Sequence, residues 1–114
     1  MNVEAITSAA ITALIFTVPD ECPFTGSVGD INPTDLRRLR DECLKFITDN
    51  AELLTQADLT DEDVGINFVL TRNREGSGFW DRDLAILGVQ LSTASQKFTS
   101  ISLQKGSDGQ WYIY

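Results

Sequence analysis

The sequence feature that most constrains the fold is a run of apolar residues at steps of three and four. They are Leu36, Leu39, Cys43, Phe46, Leu53 and Ala57. This spacing predicts one long amphipathic helix whose stripe must be buried. Asn32 and Pro33 provide the N-cap and the first helical position. Asn50 interrupts the stripe; we favour a hydrogen-bonded or edge position over a polar residue that fixes register at a helix interface.

Two further helices are predicted. Residues 3–17 are apolar on nearly all sides, which is typical of a helix at the centre of a core or partly covered by another subunit. A third helix is expected from Asp81 or Arg82 to Phe98, and Gly88 inside it indicates close packing. Its apolar stripe consists of Leu84, Leu87, Leu91, Ala94 and Phe98.

Strands are predicted in the second half of the chain. Residues 66–71 alternate between the two faces, and residues 79–80 suit a short pairing strand. Residues 99–104 and 111–114 flank a Gly-rich turn and predict a hairpin. The predicted fold is therefore a single α+β domain over residues 1–114. Three main helices pack on a small, mostly antiparallel sheet, in the order α-α-β-(short β)-α-β-β.

The charge of −8 is unevenly distributed. Residues 1–32 carry four acids and no Lys or Arg, whereas residues 64–114 are slightly basic. Direct nucleic-acid binding is not expected, since it needs a basic surface. Only the first half could imitate rows of phosphates, and an ordinary solvated face is the simpler interpretation. The densest acids match no calcium-loop spacing, so a solvated turn is preferred to a metal site. They are Asp58, Asp61, Glu62 and Asp63.

The chain contains no histidine, which excludes the His-dependent nucleophile arrangements. Cys22 and Cys43 alone do not make a zinc site, and no phosphate-loop or dinucleotide motif occurs. We expect no metal and no cofactor. Cys43 lies on a helix stripe and is predicted to be buried, while Cys22 lies in a Pro-flanked loop and is predicted to be exposed. A cytoplasmic location with reduced thiols is expected.

The apolar stretch at residues 5–18 raises the question of a membrane or targeting segment. It lacks a basic start and is shorter than the roughly 20 residues that a membrane span needs. A buried helix without membrane contact is the preferred interpretation.

The segment at residues 70–82, Leu-Thr-Arg-Asn-Arg-Glu-Gly-Ser-Gly-Phe-Trp-Asp-Arg, combines three arginines with two adjacent aromatics. Arg and Trp are enriched at binding hot spots. The candidate partner-binding residues here are Arg72, Asn73, Arg74, Trp80 and Arg82, together with the four acids named above. A structural interpretation stays open beside it: Phe79 and Trp80 are buried, while Asp81 caps a helix and pairs with Arg72 or Arg82.

This segment resembles a family of small, largely uncharacterised proteins of tailed phages, prophages and plasmids. Their typical core reads Gly-His-Asp-Phe-Trp-Leu-Thr-Arg-Asn-Gly-His-Gly-x-Gly-Phe-Trp-Asp-Arg, and they end in a Gly-Asp-Asp-Gly-x-Ile-Tyr-like hairpin. Phe68, residues 70–73, Gly76, residues 78–82 and the C-terminal hairpin match that pattern. Residues 30–33, Leu36 and residues 43–46 also resemble the middle helix of the family.

The chain departs from the family pattern where the family has histidines. Ile66 and Asn67 replace His-Asp, Val69 replaces the first Trp, and Glu75 replaces the second His. The resemblance implies a phage-type genomic context and supplies no activity.

The leading hypothesis is a phage-type accessory protein that binds a protein partner without turnover. Inhibition of a host nucleic-acid-processing or defence complex, of the anti-CRISPR or anti-restriction type, would suit an acidic surface. The alternatives are a self-assembling module, with a possible homodimer, and a small-ligand enzyme. Such an enzyme would hold a phosphate or carboxylate with Arg72, Arg74 and Arg82.

Overall fold

A computed structural model describes residues 1–21, 23–24, 26–76, 78–81 and 84–114, with Trp80 and Asp81 described by their backbone alone. Within these residues the chain forms five α-helices and one antiparallel pair of strands, which is an α+β architecture. The elements are α1 (Val3–Phe16), α2 (Pro33–Asp49), α3 (Ala51–Ala57), α4 (Asp61–Arg72), α5 (Ile86–Gln96), β1 (Leu103–Lys105) and β2 (Trp111–Ile113). Two 3-10 turns occur at Val28–Asp30 and Gly78–Asp81.

Helices α1 and α4 form the most extensive helix pair. The backbone N–H of Asn2 points to Asp61 Oδ1 at 3.4 Å, and Gly65, one turn further along α4, contacts the backbone of Ile6 in α1. The two helices are therefore parallel. Gly65 makes this contact possible because an added Cβ would lie 2.3 Å from the Ile6 carbonyl oxygen.

The alternating segment at residues 66–71 is part of α4, so the predicted strand is wrong. Thr60 caps this helix by accepting a hydrogen bond from the Asp63 N–H at 3.1 Å. Helix α4 contacts α1, α5 and the second 3-10 turn, and its buried residues surround most of its axis. A helix buried on several sides shows no single apolar stripe, and its sequence can imitate strand alternation.

The long second helix is present but is divided in two at Asn50. Its first part begins as predicted, since Asn32 Oδ1 accepts the Asp35 N–H at 3.1 Å. Asn50 is half-buried, and both its backbone N–H and its side-chain Nδ2 donate to the Phe46 carbonyl. The hydrogen-bonded interpretation of Asn50 is confirmed. The predicted continuous helix is wrong in one respect: α2 ends at Asp49, and α3 begins at Ala51.

The region before α5 also differs from the prediction. The expected short strand at residues 79–80 is a 3-10 turn, and the third helix begins at Ile86 instead of Asp81 or Arg82. Ala85, with φ of +53°, stands just outside the helix. The close packing expected at Gly88 is confirmed: an added Cβ there would lie 2.9 Å from the Phe79 carbonyl oxygen.

The C-terminal hairpin is confirmed, with Gln104 opposite Tyr112 in its register. Its first strand covers residues 103–105 instead of the predicted 99–104. The parallel bridge between Ile31 and Trp111 adds a third chain segment beside β2. The carboxylate of Asp35 accepts the Ile113 N–H at 3.0 Å, and Arg38 donates to the Ile113 carbonyl. The start of α2 therefore holds the end of the chain in place. Among the described residues, no helix is long and apolar enough to cross a membrane.

The core is centred on stacked aromatic rings and Cys43. The rings of Phe46 and Phe68 stack with centroids 4.5 Å apart, and Cys43 is fully buried as predicted. Burial raises the pKa of the Cys43 thiol to about 11, partly opposed by a hydrogen bond with Thr7. Cys22 lies outside the described residues, so its predicted exposure stays a prediction.

A thiol-labelling experiment tests the burial of Cys43. In a Cys22→Ser variant, we expect Cys43 to react with iodoacetamide at pH 8 only after unfolding in urea, because it is protonated and inaccessible. The raised pKa also makes the free energy of unfolding depend on pH. The contribution of the neutral Cys43 thiol is fully present below its unfolded pKa, near 8.5, and is lost as pH rises toward about 11. Fast labelling of the folded chain would contradict this account.

Candidate functional site

Arg72 is the largest fully buried side chain among the described residues, with 1% of its surface exposed. It lies in the last turn of α4. Its Nη1 donates to Glu42 Oε1 of α2 at 2.8 Å, and its Nε donates to the Thr99 carbonyl at 2.7 Å. The guanidinium therefore joins α2, α4 and the segment that leads into β1.

Two aromatic rings also lie close to this guanidinium. Its central carbon lies 5.1 Å from the Phe68 ring centroid and 5.2 Å from the Phe98 centroid. Both distances are within the range of cation–π attraction, which is stronger in a desolvated site. The Nη2 atom is buried and has no hydrogen-bond partner among the residues that the structure describes.

This burial disagrees with the prediction that Arg72 anchors a partner directly. The side chain is enclosed by the protein itself, so it is not accessible to a protein surface. For the same reason it is not available to hold a phosphate or carboxylate, as the enzyme alternative required. Within the described residues, the carboxylate that pairs with Arg72 belongs to Glu42. The suggested pairing of Arg72 with Asp81 concerns a side chain that lies outside the described residues.

Asn73, the next residue, is half-buried, and its side-chain amide forms hydrogen bonds with the backbone of Ile101. Its Nδ2 donates to the Ile101 carbonyl at 2.8 Å, and its Oδ1 accepts the Ile101 N–H at 2.7 Å. Ser100 adds a hydrogen bond from its hydroxyl to the Arg72 carbonyl at 3.2 Å. A side-chain amide has the donor and acceptor of a peptide group, so Asn73 pairs with the chain just before β1 as a neighbouring strand would.

The later part of the segment at residues 70–82 folds back onto α4. Thr71 Oγ1 accepts the Phe79 N–H at 3.2 Å. Gly78 has φ of +51°, and a Cβ there would lie 2.1 Å from Thr71 Oγ1. Phe79 is fully buried. These contacts favour the structural interpretation for Thr71–Asn73 and for Gly78–Phe79.

The remaining candidates of the motif are placed differently. Arg74 is exposed, in the left-handed region with φ of +56°. The side chain of Trp80 and the whole of Arg82 lie outside the described residues, as does the side chain of Asp81. The structure thus brings Arg72 and Asn73 together inside the fold and leaves Arg74 on its surface.

The predicted acids gather where α3 ends and α4 begins. Asp58 is exposed in the left-handed conformation that ends α3, and Glu62 is exposed in the first turn of α4. Asp61 is half-buried, and Asp63 follows the Thr60 cap. We call Asp58, Asp61, Glu62 and Asp63 the acidic end. In the described part of the chain, Asp58, Asp61 and Glu62 take part in no ion pair.

Among the described residues, no group of three or more acidic or cysteine side chains is arranged to hold an ion. Three acids in the first turn of a helix are favourable there because they face its positive end.

Sequence reasoning missed Glu42 as the partner of Arg72. Glu42 lies in α2 between the exposed Asp41 and the buried Cys43. Its side chain keeps 28% exposure while reaching inward. The available signal was Arg72 itself, which follows the apolar residues Phe68 and Val69; a central helix turns an arginine at that spacing toward the core.

Comparison of the chain with family models, with curated proteins and with solved structures gives no match in any of the three.

Proposed function

We propose that the protein is a phage-type accessory protein that binds a protein partner stoichiometrically, with its acidic end facing a basic surface. The observation that carries the proposal is the different placement of the arginine and of the acids. Arg72 is buried and used inside the fold, whereas Asp58 and Glu62 are exposed and, within the described residues, take part in no ion pair. A surface of this kind complements the basic surfaces of nucleic-acid-processing and defence complexes.

Two features of the chain support this function over direct nucleic-acid binding. The net charge of −8 opposes approach to phosphates. The resemblance to phage and plasmid proteins provides a setting in which inhibition of host defence is useful. The partner's basic surface is thus occupied by the acidic end in place of nucleic acid.

The test is capture from a bacterial lysate with the immobilised chain. We expect the wild type to capture a nucleic-acid-processing or defence complex, with capture weakening as salt rises. A double variant, Asp58→Asn with Glu62→Gln, should reduce capture about tenfold, roughly 1.4 kcal/mol. Asparagine tolerates the left-handed conformation of Asp58, so the fold should be kept.

A matched control removes the same charge elsewhere. Asp41 and Glu75 are exposed and take part in no ion pair among the described residues. The variant Asp41→Asn with Glu75→Gln should capture as much as the wild type. Equal loss in both variants would show that only net charge matters, and unchanged capture in both would refute a role for the acidic end.

Self-association is the second candidate, and one observation favours it. Phe16, the last residue of α1, is 84% exposed, and the outer face of α1 is otherwise lined by small exposed residues. An exposed phenylalanine beside a flat helix face is typical of an interface. Light scattering should then show a dimer at micromolar concentration for the wild type and a monomer for Phe16→Ser; a wild-type monomer excludes this candidate.

A further inference from the structure

The outer face of α1 is exposed to solvent and carries no charge. Its exposed positions recur at steps of three and four, so they lie on one face of the helix. They are Ala5, Ser8, Thr12 and Phe16. No Lys, Arg, Asp or Glu occurs from residue 5 to residue 19. A surface helix normally turns charged side chains to the water, so this face is suited to contact with another protein surface.

A cleft lies at the start of this face, between α1 and α4. It has a volume of about 380 Å³. Its lining residues are Ala5, Ser8, Ala9, Thr12, Glu62 and Ile66. The side chains from α1 are small, and Ile66 adds a half-buried apolar wall. A cavity of about 150 Å³ is already large enough to bind benzene, so this cleft has room for a phenyl ring.

Phe16 lies at the other end of the same face, with 84% of its surface exposed. A distance of about 16 Å along the helix separates it from Ala5. One face therefore holds a projecting aromatic ring and, at its opposite end, a cleft that fits such a ring. A half-turn about an axis across the middle of α1 brings the ring of each copy onto the cleft of the other, with the two helices antiparallel.

This arrangement favours a second copy of the chain over an unrelated partner. Two-fold symmetry places both Phe16 rings in clefts at once, whereas a single foreign side chain in the cleft leaves Phe16 in water. The charges favour the antiparallel orientation. Among the described residues that line the cleft, Glu62 alone is charged. An antiparallel contact puts the two copies of Glu62 at opposite ends, farther apart than the Debye length of about 8 Å at physiological salt.

We infer that Phe16 of one copy occupies the α1–α4 cleft of a second copy, in an antiparallel homodimer formed by the outer faces of α1. The inference rests on the self-association candidate above and adds its contact and its orientation. In this dimer Ser8 of one copy lies opposite Thr12 of the other. Because Glu62 also belongs to the acidic end, the dimer covers part of the surface proposed for the protein partner, so dimer and partner exclude each other.

The test is disulfide trapping in a Cys22→Ser background, where the remaining Cys43 is buried. Ser8→Cys and Thr12→Cys are oxidised in a glutathione buffer, separately and as an equal mixture, and linked dimers are measured on a non-reducing gel. The mixture should link several times faster than either variant alone, because a disulfide needs Cα atoms about 4.4–6.8 Å apart and only the mixed pair is directly opposed. Faster linkage within the single variants indicates a parallel contact and contradicts the inference.

A matched pair of variants assigns the contact to Phe16. Phe16→Ser, added to both cysteine variants, should reduce the linkage of the mixture at least about tenfold. Ile86→Ser removes another exposed apolar side chain, which is 66% exposed in α5, and should leave the linkage unchanged. Equal linkage with and without Phe16, after a folding check by circular dichroism, would overturn the inference.

Salt separates this inference from the proposed function. Copies that each carry a charge of −8 repel each other, so the dimer measured by light scattering should become tighter as salt rises. Capture through the acidic end should become weaker under the same change, and Phe16→Ser should capture at least as well as the wild type. A dimer that weakens with salt, or a wild type that is monomeric at micromolar concentration, would overturn the inference and leave the proposed function standing.

Discussion

Replacing Arg72 by alanine is expected to lower the free energy of unfolding by about 3–5 kcal/mol. The change leaves the Thr99 carbonyl and the Glu42 carboxylate without their donor, and it opens a cavity between the rings of Phe68 and Phe98. Urea denaturation followed by circular dichroism measures the loss. Arg74→Ala is the matched control: Arg74 is exposed and nearby in sequence, and its replacement should stay within about 0.5 kcal/mol.

A milder variant keeps this prediction testable if Arg72→Ala does not fold. Glu42→Gln keeps the size of the side chain and an acceptor oxygen, but it removes the negative charge that Glu42 places beside the buried guanidinium. We expect a loss of about 1–3 kcal/mol. Equal stability of the wild type and both core variants would mean that the ion pair does not hold α2 against α4.

Gly65→Ala is expected to destabilise the chain by at least about 2 kcal/mol, although alanine is the better helix former. The added Cβ would lie 2.3 Å from the Ile6 carbonyl oxygen and 2.7 Å from the Ala9 Cβ. Both are parts of a helix that cannot move aside alone, so α1 and α4 must separate. Thermal and urea unfolding measure the effect.

Gly29→Ala is the control for the glycine prediction. Among the described residues, a Cβ at Gly29 would meet only Ser27 Oγ at 3.6 Å, an ordinary contact distance. Its unfolding free energy should stay close to that of the wild type. If Gly65→Ala were equally tolerated, the close packing of α1 on α4 would not be a requirement of the fold.

The sequence correctly predicts the elements that are specified by residues close to one another in the chain. Asn32 and Pro33 begin α2 as expected, and the Gly-rich turn places the hairpin, because caps and turns depend on neighbouring residues alone. Helix α4 could not be predicted in this way. It packs against α1, α5 and the second 3-10 turn. Its apolar residues are therefore placed by these contacts and do not form one stripe with the 3.6-residue helical period.

The candidate site shows the same limit. Arg, Asn and Trp in a Gly-containing segment are typical both of binding surfaces and of buried polar networks, and composition does not separate the two. The distinction depends on Glu42 and Ile101, which lie 30 and 28 residues from Arg72 and Asn73. The packing of α2 and of the chain before β1 against α4 is needed to show this. It places Arg72 and Asn73 in hydrogen bonds within the fold.

The most direct test of this account is chemical labelling of arginines in the folded chain. Phenylglyoxal modification followed by mass spectrometry compares Arg72 with Arg74 in one experiment, and Arg37, which is also exposed, provides a second reference. The account predicts that Arg74 and Arg37 are modified in the folded chain and that Arg72 is modified only after unfolding. Modification of Arg72 as fast as that of Arg74 under native conditions would contradict the claim that Arg72 is enclosed in the interior of the fold.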